Sequence, residues 1–178
     1  EAVRAHRDGV PPKLEEEIRA FVKQEINHTR EHVVFNKAAA DAGYDMAKID
    51  ARVGELMEMI KQRPQIVNLA ATIALEHYTA MMAHEFLKNP KHFENADPEV
   101  RNMWRWHAIE EIEHKGVAFD TWNHATRNWT PYRRWKVRSL MMLIVTGRLF
   151  RNRWEDTMNQ QAQDGITRRK ARWGLLKY

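Results

Sequence analysis

The chain has 178 residues, with 29 Lys and Arg against 24 Asp and Glu, and no cysteine. Disulfides, thiolate nucleophiles and sulfur-held metals are therefore ruled out, and any metal must rest on nitrogen and oxygen donors. Helix-favouring residues dominate and only 7 Gly and 6 Pro interrupt them, which points to an all-α fold.

Pro11 and Pro12 open a helical pattern that runs from Lys13 to Ala42, with Gly43 as its stop. A shorter amphipathic helix follows from Asp45 to Gln62, where Ile49, Val53, Leu56, Met57 and Ile60 recur at helical spacing. Pro64 restarts the chain. Gln65 to Lys88 then reads as a helix apolar around most of its circumference, the pattern of a core element, and Asn89-Pro90 ends it. Asp97-Pro98-Glu99 combines a capping Asp, proline at the first helical position and an acid in the first turn, and opens a helix to Arg127. Trp104, Trp106, Trp122, Trp129 and Trp135 are expected to pack the resulting bundle.

Thr130-Pro131 opens a last long helix, after which Asn159 to Tyr178 is polar, basic and expected to be loosely ordered. The domain reading is thus a helical domain over 1–159 and a basic tail over 160–178. Charge is unevenly spread: residues 1–126 hold 16 Lys and Arg against 21 Asp and Glu, whereas 127–178 hold 13 against 3. A basic C-terminal part suits nucleic acid, an anionic membrane surface or an acidic partner, and a solvated basic face accounts for it equally well. Trp135, Leu140, Met141, Leu143, Ile144, Leu149 and Phe150, flanked by Arg133, Arg134, Lys136, Arg148 and Arg151, suit a helix lying in a lipid interface. Packing against the bundle explains the same residues. The run Leu140 to Val145 is far short of the roughly 18–20 apolar residues that span a bilayer. The expected location is cytoplasmic with peripheral membrane contact; a homo-oligomer is compatible with the sequence, and no specific nucleic-acid partner is expected.

The chemistry lies on three helices. At about 100° per residue, His107, Glu111 and His114 fall within roughly 60° of one another and can aim at one point. Glu25 and His28 repeat the Glu-x-x-His spacing on the first helix, with His32 continuing the stripe. Glu76 lies midway along the most apolar helix, where a carboxylate is costly to bury unless it is paired or bound to a cation. A single Glu-x-x-His also occurs as an ordinary solvated pair. Two such motifs plus a lone Glu on a facing helix instead match the di-iron carboxylate bundle, which takes one further Glu. Carboxylate and imidazole donors suit iron or manganese. Glu110, Glu113 and Asp120 sit beside the stripe, where carboxylates orient ligating imidazoles or serve as plain surface charges. His77 and His84 share a face seven residues apart and stay outside the ligand set.

Gln24-Glu25-x-x-His28-x-x-x-His32, Ala74-Leu75-Glu76-His77-Tyr78-Thr79-Ala80 and Trp106-His107-x-x-Glu110-Glu111-x-Glu113-His114-Lys115-x-Val117-Ala118-Phe119-Asp120 together resemble a bacterial family of predicted metal-dependent hydrolases, over about residues 15–125. The His-x-x-x-Glu-x-x-His arrangement is also similar to the di-iron N-oxygenases that oxidise aryl amines. The resemblance implies a ferritin-like bundle with a dinuclear metal site between its helices. Glu25 and His28 would bind one iron, Glu76 would be a bridge or terminal ligand, and His107, Glu111 and His114 would hold the other. Manganese or a mixed pair would suit the same donors. The families place another Glu on a helix ahead of the first Glu-x-x-His. Glu1 is too near the start to lie within a helix, so the expectation is that a first helix is missing from this chain.

Three functions follow as expectations. The first is a di-iron enzyme that activates O₂ to oxidise or oxygenate a small organic substrate. The second is a dinuclear metal-dependent hydrolase. The third is a metal-stabilised helical module that docks on a membrane or an acidic partner.

Overall fold

The computed structural model describes residues 1–176 and is all-helical over them, as the composition implied. Six α-helices follow one another: α1 (Pro12–Asp41), α2 (Ala47–Lys61), α3 (Gln65–Lys88), α4 (Pro98–Ala125), α5 (Pro131–Gln163) and α6 (Arg168–Leu176). Short 3₁₀ turns at Arg4–His6 and Pro90–Phe93, unread in the sequence, add to them.

The chain gathers into two compact units. One comprises Glu1–Thr29 and Arg63–Val145, and the other Arg30–Gln62 and the residues from Thr146 onward. The first unit holds the main core. Ile18 and Phe21 of α1, Leu69, Ala70 and Ala74 of α3, Ala118 and Trp122 of α4, and Met141 and Val145 of α5 pack together with Ala2 and Val3. Trp122 is wholly buried and meets Trp129 edge to face at 5.6 Å, while the Arg133 guanidinium lies 3.9 Å over the Trp129 ring. The small residues Ala70, Ala74, Ala80, Ala83, Ala108 and Ala118 are all buried on α3 and α4, which pack along each other. Small side chains let two helix backbones approach closely, which brings residues on facing turns within reach of a shared ion.

The start of α4 follows its sequence signal: the Asp97 carboxylate accepts from the backbone N–H of Glu99 at 2.8 Å and of Val100 at 3.4 Å. Beyond α1, Gly43 takes a φ of +97°, which an L side chain rarely adopts.

The second unit is fastened largely by polar contacts. The Tyr44 hydroxyl donates to Asp164 at 2.6 Å, the Asp45 backbone N–H donates to Gln163 Oε1 at 2.6 Å, and Arg52 pairs with Asp156. These bonds, with α5 running on to Gln163 and α6 beyond it, correct the expectation that the chain is loosely ordered from Asn159. Lys177 and Tyr178, at the end of that stretch, lie outside the described residues.

Other apolar patterns also read differently in place. The helix α2 buries none of its residues, and Val53, Leu56 and Met57 are exposed. The helix α3 is buried on one side only, with Leu75, Met81 and Met82 facing outward. Trp135 is likewise exposed, as are Leu140, Leu143, Ile144 and Phe150 of α5, whereas the part-exposed Trp106 meets the buried His28 ring edge to face at 5.4 Å. No helix among the described residues is long and apolar enough to cross a membrane.

Candidate metal centre

Three helices of the first unit converge on one polar cluster inside this core. From α1 come Glu25 and His28, from α3 comes Glu76, and from α4 come His107, Glu111 and His114. The structure brings together all six residues that the spacing singled out. Their placement follows from helix geometry, since the residue pairs 25/28 and 111/114 each lie one turn apart on a single face.

Four of them form the tightest group. One ligand atom from each of Glu25, His28, Glu111 and His114 lies within 4.8 Å of every other. His114 Nδ1 is 2.9 Å from Glu25 Oε1 and 3.8 Å from Glu111 Oε1, and His28 Nδ1 is 3.3 Å from Glu111 Oε1 and 3.7 Å from Glu25 Oε1. Donors roughly 2.0–2.2 Å from one cation, at right to tetrahedral angles, would stand roughly 3–3.5 Å apart. Glu76 and His107 stand at the edge of this group: Glu76 Oε2 is 3.7 Å from His114 Nδ1, and His107 Nε2 is 3.3 Å from Glu111 Oε1.

The polar atoms themselves fit a cation. His28 Nδ1, His114 Nδ1 and Glu76 Oε2 are buried and make no hydrogen bond, although carboxylate oxygens and imidazole nitrogens lie close by. Buried polar atoms without partners are costly, and several pointing at one place call for a shared partner. A divalent cation supplies one, accepting lone pairs from oxygen and nitrogen alike.

The electrostatics carry the same message. Burial alone would raise Glu25, but His114 and His28 beside it outweigh burial and bring its carboxyl down to about 2. Burial would lower His28, but Glu111, Glu25 and Glu110 around it push it up to about 10. Burial, reinforced by Glu111 and Glu25, drives Glu76 up to about 8, against a smaller opposing effect of His28. Glu111 is held below its ordinary value because His28 and Thr79 overcome its burial. Without a cation, then, protons on His28 and Glu76 offset the crowded carboxylates. A bound cation would take over that role and release them.

Around the cluster, His28 Nε2 lies 2.8 Å from Glu110 Oε2, and His114 Nε2 lies 3.2 Å from Gln24 Oε1. Glu110 stands beside the ligand stripe in the sequence, whereas the one sequence signal for Gln24 is its place four residues before His28, on the same face of α1. Asp120 and His32 are exposed, and His32 belongs to the other unit. His77 and His84 line a separate cavity with Glu85 and Lys115.

Two cavities flank the cluster. One of about 380 Å³ lies on the Glu25 and Glu76 side, walled by Phe21, Val22, Ile26 and Leu75. Glu1, although outside any helix, also lines it. The other, of about 80 Å³, lies on the His107 and Glu111 side, between Met82, Ala83, Phe86 and Trp104.

The fold and the cluster thus define an all-α protein with a buried carboxylate–histidine centre between helices, able to hold a metal. A family model described as predicted metal-dependent hydrolase matches residues 1–178, and the chain belongs to that family. No curated protein and no solved structure matches it. The family description agrees with the hydrolase alternative raised from the sequence. The similarity to aryl-amine N-oxygenases finds no support among the comparisons, and neither does iron in preference to another metal.

Proposed function

We propose that this protein is a metal-dependent hydrolase whose cation is held by Glu25, His28, Glu111 and His114. The observation that carries the reading is the convergence of these four side chains, with unpartnered buried donor atoms, in a chain of this family. When bound, a divalent cation supplies Lewis-acid polarisation of the scissile group and activation of water.

The chain's own residues supply the rest. Glu25 and Glu111, both held below their ordinary carboxyl range, stay anionic and offset the cation's charge. Phe21, Val22, Ile26 and Leu75 wall the larger cavity and give an organic substrate an apolar surface beside the cluster. Glu76 lines the same cavity, and its buried Oε2 has no hydrogen-bond partner. With a cation bound its carboxylate is anionic, the form that can take a proton. Glu76 therefore accepts a proton from water in the cavity and passes it to the leaving group.

A dinuclear version would use Glu76 and His107 as donors instead. One observation favours it: Glu111 Oε1 lies 3.3 Å from both His28 Nδ1 and His107 Nε2, within reach of both imidazoles. Zinc- or manganese-loaded protein assayed on a panel of p-nitrophenyl esters tests the activity, and Glu76→Gln separates the two versions. Under the proton-transfer role the variant keeps its metal content and loses about 10²–10⁴-fold in turnover. Loss of metal along with activity would make Glu76 a donor. Oxygen uptake by the ferrous protein, with no hydrolysis under redox-inert metals, would sink the hydrolase reading.

A further inference from the structure

Gln24 bridges two residues of α4 that do not touch through it by chance of composition: its Nε2 donates to Glu113 Oε2 at 3.3 Å, and its Oε1 lies 3.2 Å from His114 Nε2. A cation held on His114 Nδ1 beside Glu25 leaves these three groups one arrangement. A carboxylate only accepts, so Glu113 draws the NH₂ end of the amide toward itself. The carbonyl end of Gln24 then faces His114, and because a carbonyl also only accepts, His114 Nε2 must carry the hydrogen. Nδ1, the atom 2.9 Å from Glu25 Oε1 and 3.7 Å from Glu76 Oε2, is then the one that offers its lone pair to the cation. With the amide turned over, its NH₂ would donate to Nε2. The hydrogen would move to Nδ1, and His114 would have no lone pair for a cation.

We propose that Gln24 is a positioning residue that, oriented by Glu113, holds the fully buried His114 in the one tautomer able to bind a metal. This rests on the metal-binding reading above. It extends that reading to an exposed carboxylate on α4 that sets the state of a side chain with no exposure of its own. Glu110 does the corresponding work for His28, accepting from Nε2 at 2.8 Å and leaving Nδ1 toward Glu111 and Glu25. His114 differs in that its orienting group is neutral and two-faced, and needs a third residue to choose its face.

The test uses the full chain and three variants. Gln24→Glu keeps an acceptor toward His114 Nε2 and should retain zinc affinity. Gln24→Met keeps the bulk but removes the acceptor, and zinc affinity should fall about 10–100-fold. Glu113→Leu, at an exposed position that does not threaten folding, should lie between the two. Zinc affinity is read by competition with a chromophoric chelator. The hydrogen bond is read independently in the zinc-loaded protein, from the His114 Nε2–H resonance in proton–nitrogen spectra. The expected result is a downfield-shifted Nε2–H in the parent and in Gln24→Glu, and a smaller shift in Gln24→Met and Glu113→Leu. The same Nε2–H shift in all four proteins would overturn the proposal whatever the zinc affinities are. A parent that binds no zinc would overturn the metal-binding reading and the proposal with it.

Discussion

Glu111 Oε1 lies 3.3 Å from His28 Nδ1, 3.3 Å from His107 Nε2 and 3.8 Å from His114 Nδ1, so one oxygen faces three imidazoles. His28 and His114 belong to the tight group of four, whereas His107 stands outside it and lines the small cavity with Trp104 and Phe86. His107→Ala should therefore leave the protein folded and lower zinc affinity by less than His114→Ala does. Chelator competition on both variants checks the order, and an equal or larger loss for His107→Ala would put that residue among the principal donors. Which residues meet was legible because Glu25 with His28, and His107 with Glu111 and His114, sit at spacings of three or four on their helices, and Glu76 is a carboxylate on the most apolar one. Which atoms face the centre was not. The choice of Nδ1 on His28 and His114 depends on Glu110 and Gln24, which lie 82 and 90 residues away from the imidazoles they hold. Local periodicity carries no record of such pairings.

The helix α4 carries His107, Glu111 and His114 together with Glu110 and Glu113, so its register determines most of the centre. Its start is set by Asp97, whose carboxylate caps two backbone N–H groups, and by Pro98 at the first helical position. Asp97→Ala should cost about 1 kcal/mol of stability, in the usual range for losing an N-cap, while zinc affinity stays as in the parent. Urea unfolding and chelator competition measure the two effects. A matching loss of zinc affinity would mean that the cap also holds the register of the ligands. Caps and prolines made the helix limits readable, and α3 begins and ends where Pro64 and Asn89-Pro90 implied. Burial was less readable. The apolar stripe of α2 stays exposed, and α3, apolar nearly all round, turns Leu75, Met81 and Met82 outward, because periodicity tells which residues share a face and not what covers it. The polar stretch after Asn159 differs from its expectation for a related reason. Its contacts come from Tyr44 and Asp45, more than 100 residues earlier in the chain.

The crowding of charge at the centre should govern how the stability of the whole metal-free protein varies with pH. Glu76 ionises near 4.5 when unfolded and near 8 when folded, so between those values the folded state holds a proton that the unfolded state lacks. Stability then falls as pH rises through that window. His28 acts in the same direction. Its folded value of about 10, against 6.5 unfolded, gives stability that is complete below about 6.5 and lost as pH climbs toward 10. Glu25 acts on the acid side. Its folded value of about 2, against 4.5, gives stability present above about 4.5 and lost as pH falls toward 2. Together these groups place the metal-free optimum near pH 4.5, where the gain from Glu25 is complete and the loss from Glu76 begins, and His28 steepens the decline above about 6.5. A bound cation favours the anionic form of Glu76 and the neutral form of His28, so its stabilisation should grow with pH and reverse the decline. In thermal unfolding followed by circular dichroism of the helices, the chelator-treated protein should lose Tm steadily from about pH 6 to about pH 9, and the gap to the zinc-saturated protein should widen over that range. Parallel Tm curves with and without zinc would mean that the cation binds away from Glu76 and His28, and the centre described here would not be its site.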